Sequence, residues 1–353
     1  MITRIEIDGF KSFADFELNL EPFTVLAGPN NSGKSNLFEA ILLLRDLRSS
    51  GDDAALVKKG RGTGVELFHR ADDGTACNSF TVGGRIVDPD YSLVNVNVAV
   101  SSQARQRGLA VDVSRKAVGA PLSDAELDDV LMGLETVVAI NPHPLVMRDG
   151  ASLNDEEPLA PDCANLAAVI GRIFEDGVLE DFVVDAAYVI GDLTGIEPIE
   201  DERRNIWDFD LIMKGGRRFT PSLVSDGTLR VLALLAAVHD PSYQGTVLVE
   251  ELENGLHPRY IERLCSQISK CVSDGAGRQV IASTHSPALV SDMLARSEDS
   301  VVFFDQVFGP REIEGGLRAA HWTRARRIGT EGVRGTFVSP LELRNYFPVG
   351  SES

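Results

Sequence analysis

Apolar positions open the chain in strand rhythm: Ile2, Ile5 and Ile7 lead to Phe10, and Phe13, Phe16, Leu18 and Leu20 follow. Two antiparallel strands turning around Gly9-Phe-Lys-Ser fit this spacing better than a helix. Phe23-Thr-Val-Leu-Ala27 is a short apolar run of strand type, and Asn36 to Leu44 has the dense apolar content of a buried helix. Further strands are predicted over 64–69, 79–87 and 91–100. The clearest is Val94-Asn-Val-Asn-Val-Ala-Val100, where Asn95 and Asn97 fall on the face opposite the valines. Residues 101–120 are polar and read as loop.

The texture changes from about 123 to 195. Ser123-Asp-Ala-Glu is an N-cap with an acidic first turn and opens a helix through roughly Leu134. Asn165–Phe174 and Leu179–Ile190 read as helices too, so this stretch is expected to be a helical insertion. No heptad is sustained over several turns, which argues against a coiled-coil arm. From 205 short strands return. They are followed by a helix from Ser225, a strand at 246–250, a helix at 258–272, a strand at 279–283 and a helix from 287. Alternating strands and helices imply a largely parallel core sheet. The expected division is an N-terminal part (1–120), a helical insertion (121–200), a C-terminal part (201–347) and a frayed tail (348–353).

Composition narrows the class. A chain of 353 residues with 43% hydrophobic and 25% charged positions is ordinary for a soluble protein with a sizeable core. The formal net charge of −19 argues against a broad DNA-coating surface, because duplex binding is driven by phosphate neutralisation. A local basic cluster of Arg324, Arg326 and Arg327 reads more simply as a solvated helix end or a contact for an acidic partner. Cys77, Cys163, Cys265 and Cys271 form no CxxC pair and read as reduced core thiols. The opening strand pattern leaves no room for a signal peptide, and no apolar stretch reaches the ~20 residues of a membrane span. A cytoplasmic enzyme without a membrane segment is the expectation.

The chemistry starts at Gly28-Pro-Asn-Asn-Ser-Gly-Lys-Ser35, a complete phosphate-binding loop in its required strand–loop–helix context. Gly28 and Gly33 let the backbone curl so that N–H groups point inward at a phosphate. Asn30, Asn31, Ser32 and Asn36 complete the cradle and the first helical turn. Lys34 reaches the β- and γ-phosphates, and Ser35 offers its hydroxyl to Mg²⁺. The loop predicts a nucleoside triphosphate. Thr246-Val-Leu-Val-Glu-Glu251 is an apolar strand ending in two acids, at the edge where such sheets bind ligands. Glu250 suits Mg²⁺ coordination through water, and Glu251 suits polarising an attacking water. Ser225-Asp-Gly-Thr-Leu-Arg230 begins a helix with Ser225 as N-cap, Asp226 in the first turn and Gly227 permitting close backbone approach. A helix start of this kind is a second phosphate-binding device, although alone it would be an ordinary capped helix. His285 follows the next strand, where an imidazole could hydrogen-bond a γ-phosphate; standing alone it would more often be a packed loop histidine.

Taken in order, Gly9-Phe-Lys-Ser-Phe13, the Walker A loop 28–35, the signature-like segment 225–230, Walker B with Glu250-Glu-Leu-Glu-Asn-Gly-Leu-His-Pro258, and Thr284-His-Ser-Pro287 resemble the ABC-type ATPases of the OLD/SMC/RecF-like group. They resemble especially the stand-alone AAA-type ATPases of bacterial defence and mobile-element operons. The resemblance covers the beginning and the last third of the chain; residues 70–200 match only vaguely. It implies an α/β ABC-type ATPase head with a mixed or parallel core sheet, an antiparallel β subdomain and a helical insertion. It also implies ATP with Mg²⁺, and a homodimer or higher homo-oligomer in which ATP on Lys34 and Ser35 of one subunit is capped by Ser225 and Gly227 of another. Glu251 would be the catalytic base, His285 the γ-phosphate sensor, and Asn254–His257 the loop linking two sites. Three departures stand out. Glu250 replaces the usual Asp, Leu252 replaces a frequent proline, and no glutamine-bearing loop can be placed after the first helix.

The expected function is an ATP-binding and ATP-hydrolysing dimeric switch that controls a separate effector, a nuclease or toxin, in anti-phage defence. The alternative is a RecF/SMC-like DNA-repair ATPase acting directly on DNA, which the net charge and missing coiled coil disfavour. A transporter-associated ATPase is a third class, and Thr284-His-Ser-Pro287 looks wrong for it.

Overall fold

The computed structural model describes residues 1–47, 64–88, 92–103, 108–119, 121–273, 277–329, 337–339, 342–343 and 346. The chain divides into two compact units, Met1–Val137 with Ser283–Ser353, and Val138–Ala282. The frayed tail expected at 348–353 lies outside the described residues.

The first unit opens with β1 (Ile2–Asp8) and β2 (Phe16–Asn19), an antiparallel pair with Ile5 opposite Leu18 and Ile7 opposite Phe16. The predicted turn around Gly9 is therefore present. β3 (Phe23–Ala27) is buried at all five positions, as a continuous apolar run requires. It leads to α1 (Lys34–Leu47), which buries Leu37, Ile41 and Leu44 along one stripe. β4 (Ser79–Val87), β5 (Leu93–Gln103) and β6 (Gly108–Ala117) complete an antiparallel sheet of order β2-β1-β4-β5-β6. Val94, Val96, Val98 and Val100 point to its buried face, against which α1 and α2 (Asp124–Glu135) pack. A capping box between Ser123 and Glu126 starts α2, as the Ser-x-x-Glu spacing predicts.

Two expectations are overturned here. Residues 64–67 form a 3-10 turn, and around them only isolated bridges, such as Phe10 to Phe68, replace the predicted strand. Residues 108–117 are a strand; its polar residues sit on an outer face, and pairing with β5 outweighs their low strand propensity.

The second unit begins with β7 (Val138–Ile140) and β8 (Ala151–Ser152), then α3 (Leu166–Glu175) and α4 (Leu179–Ile190). β9 (Leu193–Asp201), β10 (Ile206–Met213) and β11 (Arg217–Phe219) follow, with β10 paired to β8, β9 and β11. Next come α5 (Asp226–His239), β12 (Thr246–Val249), α6 (Pro258–Ser273) and β13 (Gln279–Thr284), each within two residues of its predicted span. β12 runs parallel to β7 on one side and β13 on the other, which is the parallel layer the alternating pattern implies. α3, α4 and α6 pack around α5, ten of whose residues are buried. A buried ion pair, Arg172 to Asp240 at 2.7 Å, fixes α3 to the end of α5, and Arg172 also donates to the Asp155 and Glu157 carbonyls. Those extra acceptors offset the cost of burying the guanidinium.

The chain then returns to the first unit with α7 (Pro287–Arg296), which packs on β3. β14 (Val301–Ile313) lies parallel to β3, and β15 (Gly316–Ile328) pairs antiparallel to β14 along twelve residues, with β16 (Phe337–Val338) beyond it. The arginine cluster lies on β15, where a helix end was expected. Arg324 and the buried Arg326 share Asp305, at 2.7 and 2.6 Å, Arg326 also pairs with Glu342, and Arg327 pairs with Asp299. Among the described residues no helix is long and apolar enough to cross a membrane.

Candidate functional site

In the first unit the loop between β3 and α1 is held in a conformation that its glycines make available. Gly28 has φ +152°, and a Cβ there would lie 2.2 Å from the Phe304 carbonyl oxygen. Gly33 has φ +102°, and its Cβ would lie 2.1 Å from Thr323 Oγ1. Any side chain at either position would have to displace β14 or β15. Asn31, exposed at φ +63°, takes the left-handed turn between them.

Lys34, only 6% exposed, is the first residue of α1, and its ammonium is turned into the loop. It donates to the Gly28 and Pro29 carbonyls, both at 2.8 Å, with Ser32 Oγ at 3.4 Å. The loop thus curls round a buried cation at a helix N-terminus, which is the charge and donor set a polyphosphate needs. Ser35 is exposed beside it, as is Asn30. The residues therefore fit a nucleotide.

The loop is braced from behind by residues the sequence reading missed. Thr323 on β15 donates from Oγ1 to the Ser32 carbonyl at 2.9 Å and lies 2.8 Å from Ser12 Oγ, while its N–H donates to the Ser12 carbonyl. Asn36 Nδ2 donates to the same Ser12 Oγ at 2.8 Å, so Asn36 faces the scaffold. Gln306 Nε2 on β14 reaches the Asn31 carbonyl at 2.7 Å. Ser12 belonged to a segment already singled out; Thr323 and Gln306 carry no local signal, because they act across almost the whole chain. Lys11 pairs with Glu39 on α1, and His69 donates from Nδ1 to the Lys11 carbonyl at 2.7 Å. Burial holds the His69 pKa below its ordinary value, so the ring is neutral there. His285 is half-buried between β13 and α7, whose N-cap is Ser286.

In the second unit Ser225 caps α5, accepting from the Thr228 N–H at 3.2 Å. Ser225 and Asp226 are both exposed, and Asp226 pairs with Arg148 at 2.8 Å. Arg148 also donates to the Val224 carbonyl at 3.1 Å, so it fixes the start of the helix and neutralises the acid there. Glu250 and Glu251 follow the fully buried β12 and are both exposed. Glu251 has φ +49°, a conformation costing about 1–3 kcal/mol for a residue with a Cβ, and its carbonyl accepts from Asn254 N–H at 2.8 Å. That turn carries the chain into Asn254–His257, which lies against α5: a Cβ on Gly227 would sit 3.1 Å from the Gly255 carbonyl oxygen, and one on Gly255 2.8 Å from Arg230 Nε. The second unit thus brings the turn after β12 and the segment 225–227 into one surface.

The loop between β3 and α1 has the form of a phosphate-binding P-loop, and the chain is similar to ATPase domains of the SMC and RecF type. Residues 1–80 match the model of an "AAA ATPase domain", and residues 186–291 that of an "AAA domain, putative AbiEii toxin, Type IV TA system". Structural maintenance of chromosomes protein 1 of Arabidopsis thaliana is 35% identical over 129 residues, 31% of this chain and 10% of that protein. The DNA replication and repair protein RecF of Acidothermus cellulolyticus is 29% identical over 151 residues, 42% of this chain and 36% of that one. The chain therefore spans about a third or less of the length of these relatives. An SMC head bound to the C-winged helix domain of ScpA superposes with a TM-score of 0.59 at 16% identity, covering 93% of this chain and 98% of that one. The SMC head domain from Thermotoga maritima gives 0.52 at 16% identity, covering 93% and 99%. The chain has the SMC-head fold, and its similarity to the ABC-type ATPases of the OLD/SMC/RecF-like group holds on both sequence and fold.

Proposed function

We propose that the chain is an ATP-binding and ATP-hydrolysing switch that works as a dimer and controls a separate effector protein. Lys34 and the 28–35 backbone bind the triphosphate; Ser35 and Glu250 are the candidate Mg²⁺ ligands, and the ion would supply charge neutralisation. Glu251 positions the attacking water and takes its proton at a carboxylate oxygen, and His285 hydrogen-bonds the γ-phosphate. Ser225 and Gly227 cap the nucleotide of a second copy.

The observation that carries this reading is the state of the two helix starts. Lys34 is buried in a closed loop, whereas Ser225 and Asp226 face solvent beside Leu223 and Leu145, which are 71% and 72% exposed. Two large exposed leucines next to an otherwise polar helix start are suited to a protein surface. A similar SMC head carries a bound partner protein, and the toxin–antitoxin description of the matching family supports an effector in a defence setting.

Mixing variants tests action between copies. Lys34→Ala and Ser225→Arg should each lack ATPase activity alone. Their mixture should recover up to half the activity per site, because one of its composite sites keeps both an intact Lys34 and an intact Ser225. A mixture as inactive as its components would overturn the reading.

Direct action on DNA is the second reading, favoured by the RecF similarity. The pairing of Arg324, Arg326 and Arg327 with Asp305, Glu342 and Asp299 weighs against it, as does the net charge of −19. Tight, salt-sensitive duplex binding by the wild-type chain would favour it.

A further inference from the structure

Three helices of the second unit meet at a cluster that the nucleotide chemistry does not use. Asp185 on α4, His239 as the last residue of α5 and Cys271 on α6 bring one donor atom each to a common point. Asp185 Oδ2 to His239 Nε2 is 3.0 Å, Nε2 to Cys271 Sγ is 3.4 Å, and Sγ to Oδ2 is 3.7 Å. Asp185 and Cys271 are buried, and the edge of His239 packs against Phe182.

A Cys-His-Asp relay does not fit this geometry. Such a triad uses the two ring nitrogens separately, one for the acid and one for the thiol, whereas here both approach Nε2. Without a metal, Nε2–H and the Cys271 thiol can both donate to Asp185 Oδ2, and the approach of Nε2 to Sγ is then a plain packing contact.

We infer that Asp185, His239 and Cys271 form a zinc site. Zn–S of about 2.3 Å and Zn–N or Zn–O of about 2.0–2.1 Å, at tetrahedral angles, separate ligand atoms by roughly 3.3–3.6 Å. The three observed separations bracket that range. Thiolate with imidazole selects zinc over magnesium or calcium, which prefer all-oxygen shells. Lys270 Nζ donates to Asp185 Oδ1 at 3.2 Å, which orients the carboxylate and leaves Oδ2 for the metal. Lys270 and Arg278 oppose a cation and Asp185 and Asp181 offset them, while burial pushes the Cys271 thiol up to about 12, so a bound metal must displace its proton. The ion would bolt α4 and α6 to the C-terminus of α5, the helix whose other end is capped by Ser225, about 21 Å away for its 14 residues. The site does not depend on the ATP reading.

Cobalt alone is the probe, added to the full-length, metal-depleted chain without nucleotide. One Co²⁺ per chain should bind, with a thiolate-to-cobalt charge-transfer band and the strong visible absorption of tetrahedral cobalt, and Zn²⁺ should bleach both. Cys271→Ser should remove the charge-transfer band while Cys265→Ser and Cys163→Ser keep it, and His239→Gln should weaken cobalt binding at least tenfold. In the wild-type chain, Zn²⁺ should also slow alkylation of Cys271, mapped by peptide mass, a measurement that needs no variant to fold. Absence of the band, its persistence in a folded Cys271→Ser chain, or Cys271 alkylation unchanged by Zn²⁺ would overturn the site.

Discussion

At the start of α1 the phosphate loop is closed over a buried lysine and braced by Thr323, Ser12 and Gln306; at the start of α5 Ser225 and Asp226 stand in solvent, held by Arg148, the helix cap and the Gly255 turn. Both are helix N-termini with a serine and a glycine, so the dipole and free N–H groups are the same. What differs is the surroundings. The first cradle has its counter-charge and its support within one unit, as a site that holds its ligand unaided would need. The second offers donors and an Arg148-paired carboxylate on an exposed face, next to two bare leucines, and would gain most from a ligand brought by another molecule.

The comparison breaks most sharply at Lys34. Lys34→Ala should lower nucleotide affinity about 100-fold or more, since each charged hydrogen bond lost to a phosphate is worth about 1.5–3 kcal/mol. Calorimetric titration with a non-hydrolysable ATP analogue measures it. Wild-type affinity in that variant would mean that the cradle is not the nucleotide site. Glu251→Gln should leave affinity within a few-fold and slow hydrolysis by about 10²–10⁴, the usual worth of a positioned proton acceptor. With ATP this variant should accumulate as a dimer in analytical ultracentrifugation. A chain that stays monomeric with ATP bound would remove the second cradle's proposed purpose.

Both cradles were legible in the sequence, but the supports behind them were not. Gly28, Gly33 and Lys34 announce themselves because the chemistry is local: a strand, a curl and a helix start within a dozen residues. The α5 cap was legible for the same reason, as was the parallel layer around β12. What escaped was long-range. Thr323 stands in a strand with mixed polarity, and its partner Ser32 lies 291 residues earlier, a separation no local pattern encodes. The long β14–β15 hairpin carries no clean signal because, after the first five residues of β14, buried positions are scattered among exposed ones, and the arginines of β15 look solvated until Asp305 is placed beneath them. Likewise β6 alternates too weakly to stand out until β5 supplies its ladder. The left-handed backbone at Glu251 had no signal in the sequence, since glutamate does not favour it.

The bracing of the first cradle can be tested without touching the nucleotide. Thr323→Val keeps the side-chain shape but removes the hydroxyl, leaving the Ser32 carbonyl without that donor; the expected cost is about 1–3 kcal/mol. The melting temperature should fall by a few degrees and ATP affinity several-fold, read by differential scanning calorimetry and by titration. A loss of stability with unchanged affinity would show that the hairpin supports the fold but not the loop geometry.

The smallest effect belongs to the second cradle. Arg148→Met removes the charge facing Asp226 while keeping much of the side-chain bulk. Exposed ion pairs contribute about 0–1 kcal/mol, so stability should hardly move. The consequence should be electrostatic: an uncompensated carboxylate at the mouth of α5 repels a triphosphate carried by another copy. In the Glu251→Gln background, ATP-dependent dimerisation should weaken several-fold, while the affinity of each chain for its own nucleotide stays within about twofold, because Lys34 is untouched. If Arg148→Met instead weakens that intrinsic affinity, Asp226 acts on the nucleotide of its own chain, and the division of labour between the two helix starts fails.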